Sequence, residues 1–322
     1  MALTIDDLFA SPDHYLHSFD GDAAIFVPMD RAAYHRSIFL DGRIAPAGEG
    51  EMRLPIGALP AAPPAPKRTG WIFHIAHCGS TLLARALDRP EANLVLREPL
   101  ALRQAAVSRH ERLIALATST ISKRYDPALP TIVKANVPVN FLLPELAAQD
   151  PQAPAILLYL GLDDYLAAIL RSDNHRAWLR NVTGQLVAHL GDTSTLSDPE
   201  RAALLWLAQL RAFASTLDLM PNARSLDAEL FFADPTPLLA AAATCLGVPM
   251  MADDAAAITR GPLFSTYSKN PTVAFDNDAR LARKAELARS IGTELIAAHD
   301  WIARNGGDAA DVIAKLEGRA LL

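Results

Sequence analysis

Four times between residues 71 and 172, a short apolar run is followed by a segment with the leucine and alanine spacing of a helix. The runs are WIFHIA (71–76), NLVL (93–96), TIVKA (131–135) and AILLYL (155–160). The helical segments are HCGSTLLARAL (77–87), LALRQAAV (100–107) with RLIALATSTIS (112–122), the proline-interrupted VNFLLPELAAQ (139–149), and DDYLAAILRS (163–172). Strands that are apolar at every position have both faces covered, and helical crossovers between them make them parallel. The alternation therefore predicts an α/β fold of three layers, with a mostly parallel central sheet between two layers of helices.

The rest of the chain extends this plan. DPERAALLWLAQLRAFASTLDL (198–219) reads as a long amphipathic helix opened by Asp198-Pro199, with Trp206 and its leucines on the buried side. ARSL (223–226) reads as a further strand, and PTPLLAAAATCLGV (235–248) as a proline-started helix stopped near Gly247. Residues 278–306 read as one or two surface helices. Residues 1–58 differ: HYLHSF, AAIFV and YHRSIFLDGRI are short aromatic-rich pieces without a helical period, expected to form an N-terminal lobe of short strands and turns. Residues 59–69 contain PAAPPAPKR, whose prolines exclude a helix or interior strand and give a stiff connector. The α/β domain proper then occupies 70–322.

The net charge of −6 argues against a long nucleic-acid footprint or a polybasic membrane anchor, so basic groups must act locally in a pocket. No apolar run approaches the ~20 residues that cross a bilayer. MALTIDDLF carries acids where a signal peptide needs a basic region, so a cytoplasmic location is expected. The two cysteines, Cys78 and Cys245, form neither a disulfide framework nor a zinc set. His14 and His17 lack a second ligand pair, and no metal is expected.

The sharpest local signal is His77-Cys78-Gly79-Ser80-Thr81-Leu82-Leu83, between the first strand and its helix. Gly79 permits close backbone approach. The amides of Ser80, Thr81 and Leu82 would be unpaired donors at a helix start, and two hydroxyls stand beside them. A Gly-Ser-Thr tripeptide also simply caps helices. Its place after the first strand of the series points instead to an anion. A full Walker motif would require glycine at 74 and lysine at 80, where this chain has His74 and Ser80. The fold expected is thus P-loop NTPase-like, without the standard ATP loop.

In this turn the chain resembles the sulfotransferase superfamily, whose loop K/R-S-G-T-T-W/L after the first strand binds the 5′-phosphosulfate of PAPS, 3′-phosphoadenylyl sulfate. The match lies at Gly79, Ser80, Thr81 and the Leu82-Leu83 pair. Arg97-Glu98-Pro99-Leu100 is similar to a Glu-Pro segment in carbohydrate sulfotransferases, in which the glutamate is the general base. Leu226 to Pro235, ending at Leu246-Gly247-Val248-Pro249, resembles the family stretch E-x-L-x-x-D-P … L-G-x-P. These segments fall in the family's order over residues 70–250.

Two departures matter. His77 replaces the basic residue of the loop. The family's 3′-phosphate segment, R-x-P-x-D-x-x-x-S, falls on Leu160 to Ala168, where only Asp164 matches; Leu160 and Ala168 replace the arginine and serine. Lys269, in a polar cluster from Ser265 to Asn270, is the first candidate substitute.

The resemblance implies transfer of a sulfuryl group from PAPS to a hydroxyl or amine of a small molecule or glycan, with no nucleic acid or membrane partner. His77, Cys78, Gly79, Ser80, Thr81, Leu82 and Lys269 would hold the donor, His77 would assist the leaving group, and Glu98 would act as base. Glu98 paired with Arg97 or Arg103 at the surface, His74 as a hydrogen-bonded core residue, and Cys78 as packing are the plainer readings of those positions. Lys134 suits either the crevice or an acid partner. Rival functions are an ATP-dependent phosphotransferase and a non-catalytic nucleotide- or anion-binding protein on the same fold.

Overall fold

The computed structural model describes residues 3–322. Its N-terminal part comprises helix α1 (Ile5–Ala10), strands β1 (His14–Asp20) and β2 (Ala23–Pro28), helix α2 (Arg31–Arg36) and strand β3 (Met52–Pro55). The three strands pair antiparallel in the order β1-β2-β3. The two short helices are additions to the expected strands and turns. Each is set by its cap: Thr4 and Asp7 form a capping box on α1, and the Asp30 side chain accepts the Ala33 amide on α2.

After the proline-rich stretch come β4 (Thr69–His74), α3 (Ser80–Ala86), β5 (Leu94–Arg97), α4 (Leu100–Ser108), α5 (Glu111–Ile121) and β6 (Thr131–Lys134). They are followed by α6 (Leu143–Gln149), β7 (Ala155–Tyr159), α7 (Leu162–Leu170), α8 (Asp173–Gln185), α9 (Val187–Leu190), α10 (Asp198–Leu219) and β8 (Ala223–Asp227). Five strands form one all-parallel sheet in the order β5-β6-β4-β7-β8. β4 to β7 are buried at every residue, as continuous apolar strands between two helical layers must be. The sequence thus located each sheet strand and the 22-residue α10.

The first strand and helix are both shorter than the apolar pattern suggests. β4 ends at His74 and α3 begins only at Ser80, because His77 and Gly79 take left-handed φ values of 62° and 81°. That conformation breaks both strand and helix and folds residues 75–79 into a tight turn. The chain then continues through α11 (Ala228–Ala233), α12 (Pro235–Leu246), α13 (Ala252–Thr259), a hairpin of β9 (Thr266–Tyr267) and β10 (Asn270–Ala274), and helices α14 (Asn277–Ser290), α15 (Gly292–Asn305) and α16 (Ala309–Glu317).

Two features position the site. The crossover from β4 leads toward β5 while that from β7 leads toward β8, so loops leaving these neighbouring strands diverge and open a crevice at their C-terminal ends. The N-terminal sheet packs on α4 and α5 through Leu8, Leu16 and Phe26 against Ala101 and Leu116. Buried polar groups fix that contact. Arg97 pairs with Asp88 at 2.5 Å and donates to the carbonyls of Tyr34 and Ser37, and Lys123 Nζ donates to those of Leu8 and His14. These bonds carry Phe39 and Arg43 to the rim of the crevice.

Candidate functional site

The turn before α3 is built for close approach. A Cβ added at Gly79 would lie 2.6 Å from Phe232 Cζ, so a side chain there would be strained by the left-handed φ and would have to displace the overlying ring. Ser80 and Thr81 are buried, and the Thr81 hydroxyl has no hydrogen-bond partner among the described residues. The Leu82 amide differs from expectation: it is bonded to the Gly79 carbonyl at 2.9 Å, which leaves the amides of Ser80 and Thr81 to open the helix. Cys78 is packing, fully buried with Sγ donating to the Ile75 carbonyl at 2.9 Å, and burial pushes its thiol up to about 11.

Above this turn lies a cavity of about 340 Å³. Arg171, Lys269, Arg280, Arg283 and Lys284 line it, against the carboxylates of Asp164 and Glu229. Both acids are spent on α14. Glu229 grips Arg280 with two bonds of 2.7 and 3.0 Å, and Lys284 reaches Asp164 at 2.7 Å and Glu229 at 3.0 Å. Burial raises the Glu229 carboxyl, but the bonds to Arg280 and Lys284 outweigh it and hold it below the usual range. No carboxylate within ion-pair reach is found for Arg171 or Arg283 among the described residues. Leu160 and Ala168 line the same cavity as apolar wall. Positive charge is therefore concentrated here, and it comes from α14 and the end of α7 instead of from positions 160 and 168.

A second cavity, of about 310 Å³, opens over Glu98. Glu98 follows β5 with φ 57°, a strained conformation for a residue with a side chain, and its amide is anchored to the Lys134 carbonyl at 2.8 Å. The plainer alternative, a surface pairing with Arg97 or Arg103, does not occur. Lys134, at the end of neighbouring β6 and fully buried, donates to Glu98 Oε1, and Asn136 Nδ2 reaches Oε2 at 3.4 Å. Burial alone would raise the Glu98 carboxyl, but Lys134 and then His74 prevail and hold it at about 2. Lys134 is thus the acid's partner, and Arg97 is part of the lobe contact.

The two cavities share His74, His77, His175 and Lys269 as lining. His74 is the buried histidine expected, its Nδ1 against the Ile75 carbonyl at 2.8 Å, but its Nε2 is unpartnered and 4.0 Å from Glu98 Oε1. Burial, reinforced by Lys134, brings His74 down to about 3. His77 lies beside His175 with tilted rings 4.6 Å apart at their centres, and meets Trp178 edge-on at 5.9 Å. Burial and then Lys269 push His77 well below 6.5, favouring its neutral form. Lys269 sits between β9 and β10, a hairpin turn rather than a free loop, with Nζ 5.9 Å from the Phe39 ring centre.

Residues that sequence reasoning missed come from α8 and α14: His175, Trp178, Arg283 and Lys284 above all. α8 escaped because only Leu179, Val182 and Thr183 of its thirteen residues are buried, too few for an apolar stripe. Arg171 lay inside a segment already read as helix, and nothing in its spacing marked it.

The described residues contain no group of three or more histidines, cysteines and acids placed to hold a metal, and no helix long and apolar enough to cross a membrane. No family model and no curated protein matches the chain. Among solved structures, the chain is similar to a sulfotransferase domain from the curacin biosynthetic pathway, at 12% identity over 65% of this chain and 83% of that one, with a TM-score of 0.38. It is also similar to a sulfotransferase from Alicyclobacillus acidocaldarius, at 15% identity over 73% of this chain and 98% of that one, with a TM-score of 0.40.

Proposed function

We propose that the protein transfers a sulfuryl group from PAPS to a hydroxyl or amine of a small molecule or glycan. The observation that carries this reading is the meeting of two cavities at His77 and Lys269: one lies over the glycine turn with an excess of cations, the other over a half-buried carboxylate. Group transfer needs such a pair of chambers, one for a polyanionic donor and one for an acceptor beside a proton acceptor.

In this reading Ser80 and Thr81 hold the phosphosulfate through their amides and hydroxyls, and the unpartnered Thr81 hydroxyl finds its partner there. The acceptor oxygen forms its new bond to sulfur as the sulfur–oxygen bond to the 5′-phosphate breaks. Its proton passes to Glu98, and the 3′,5′-bisphosphate PAP departs. A carboxylate held at about 2 is a weak base, so it takes the proton late, when the acceptor oxygen has become strongly acidic through bonding to sulfur. Lys134 keeps Glu98 ionised and oriented. Lys269 stands at the junction to offset charge on the leaving phosphate, and His77 gains its proton only when that polyanion is bound. For an amine acceptor the same carboxylate takes the ammonium proton.

The reading of an ATP-dependent phosphotransferase is weaker, because the acids of the donor cavity, Asp164 and Glu229, are engaged by Lys284 and Arg280 and leave no free ligand for Mg²⁺. Calorimetric titration with PAP, AMP and ATP–Mg²⁺ tests the proposal. PAP binding that weakens strongly for AMP is the expected result. Absence of PAP binding overturns it, and ATP–Mg²⁺ preference would favour the phosphotransferase.

A further inference from the structure

The chamber over Glu98 carries more information than the presence of a base. Its walls are of two kinds. Phe39, Val137, Pro138, Trp178 and Val182 form an apolar lining, in which Trp178 is half-buried. At ~300 Å³ the space is at the small end of ligand pockets, suited to one ring or a short apolar body.

The charged groups are unequal. Glu98 is satisfied by Lys134. Arg43 is satisfied by Asp41, through bonds of 2.9 and 2.5 Å, and lies flat on Phe39 with its guanidinium carbon 3.7 Å from the ring centre. Arg103, on the first turns of α4, has only the neutral Gln185 side chain, at 3.1 Å, and no carboxylate within ion-pair reach among the described residues. It is a partly buried guanidinium facing the cavity with its charge uncompensated. An arginine fork in such a place matches a planar anion.

We propose that the acceptor carries an anionic group, a carboxylate being the best geometric match, which binds Arg103 while its apolar body lies against Trp178 and its hydroxyl or amine meets Glu98. The proposal rests on the transfer reading for the role of Glu98, but the binding it describes does not. A neutral acceptor of the same shape leaves Arg103 unpaired, and a cationic one is repelled by Arg103 and Lys269.

The test is a ladder of three phenols of one shape, titrated into the full-length protein with and without saturating PAP: 4-hydroxyphenylacetate, its neutral amide, and tyramine. The expected order places the carboxylate roughly 10-fold or more tighter than the amide and tyramine weakest, a charge-assisted bond being worth ~1.5–3 kcal/mol. In Arg103→Gln the advantage of the carboxylate disappears, and in Arg103→Lys part of it returns. Equal binding of carboxylate and amide, no binding by any of the three, or a preference that survives Arg103→Gln overturns the proposal. Failure of PAP to bind, with the ladder intact, would overturn the transfer reading and leave this one standing.

Discussion

Lys134 is entirely buried at the end of β6 and delivers its ammonium to Glu98, the residue just past the end of neighbouring β5, whose side chain keeps 18% exposure toward the smaller cavity. One member of the pair is locked in the core and the other is offered to a ligand. Replacing Glu98 therefore has two separable effects. Glu98→Gln is expected to slow turnover by ~10²–10⁴ by removing the proton acceptor. It also leaves an unpaired buried ammonium, a loss of ~3–5 kcal/mol visible in thermal denaturation. Adding Lys134→Met should recover much of the stability and none of the turnover. Recovery of both would exclude Glu98 as the base.

His77 supplies a second test. Burial, and after it Lys269, holds its proton affinity well below 6.5 in the free protein, and a bound polyanion raises it. The bound form then holds more protons than the free form, so PAP affinity should rise as pH falls from 8 toward 6. Titrations near pH 6.5 in two buffers of different ionisation heat should reveal proton uptake on binding. The uptake should vanish in His77→Gln.

Burial of histidines also shapes acid stability, His74 and His175 among them. Burial is the largest cause holding His74 at about 3 and His175 at about 4. Between these values and the ~6.5 of an unfolded chain, the unfolded state binds protons that the native state does not. Stability should thus decline as pH drops below 6.5, with a further loss below ~4.5 as Glu98 loses its advantage over the unfolded chain. Urea unfolding at pH 7.5, 6 and 5 checks the sign, and His74→Gln should flatten the decline.

What could be read in advance followed from how local its causes are. β4 to β7 announced themselves because both their faces are buried, and α10 did so because it is long and amphipathic. The turn at Gly79 was legible since glycine and two hydroxyl residues followed an apolar strand. The partner of Glu98 was not, because Lys134 lies 36 positions away and reaches it only through the β5–β6 register that pairs Arg97 with Lys134. Nor was the donor cavity's charge: Arg280 and Lys284 come from a surface helix that looks solvated until Glu229 and Asp164 draw it over the crevice. Strain at His77 and Glu98 left no mark at all, since neither residue type favours a positive φ.

Gly79 should tolerate nothing larger. Alanine there meets both the φ of 81° and the Phe232 ring at 2.6 Å, so the turn must shift by an amount comparable to a hydrogen-bond tolerance. Gly79→Ala is expected to abolish measurable PAP binding while thermal stability falls by only ~1–2 kcal/mol, the cost of a left-handed non-glycine residue. Phe232→Ala in the same chain removes the clash but not the backbone strain, and should restore binding in part. Full binding by Gly79→Ala alone would show that the turn does not touch the ligand.

In the proposed reading, a 3′-phosphate must be recognised by groups other than Leu160 and Ala168, which are apolar wall of the cavity. Arg171 and Arg283 both line the cavity, and neither has a carboxylate partner among the described residues, whereas Arg280 and Lys284 are tied to acids. Unpaired guanidiniums are the groups with most to gain from a phosphate, each contact contributing ~1.5–3 kcal/mol. Arg283→Leu and Arg171→Leu should each weaken PAP roughly 10- to 100-fold and AMP much less, so that the ratio between the two ligands shrinks. Leu160→Ala should leave that ratio unchanged. Arg171 carries a second load, donating to His175 Nε2 at 2.9 Å, so its replacement should also loosen the wall beside His77, whereas that of Arg283 should not. If both variants weaken PAP and AMP by the same factor, these arginines supply general attraction only, and recognition of the 3′ position lies elsewhere in the cavity.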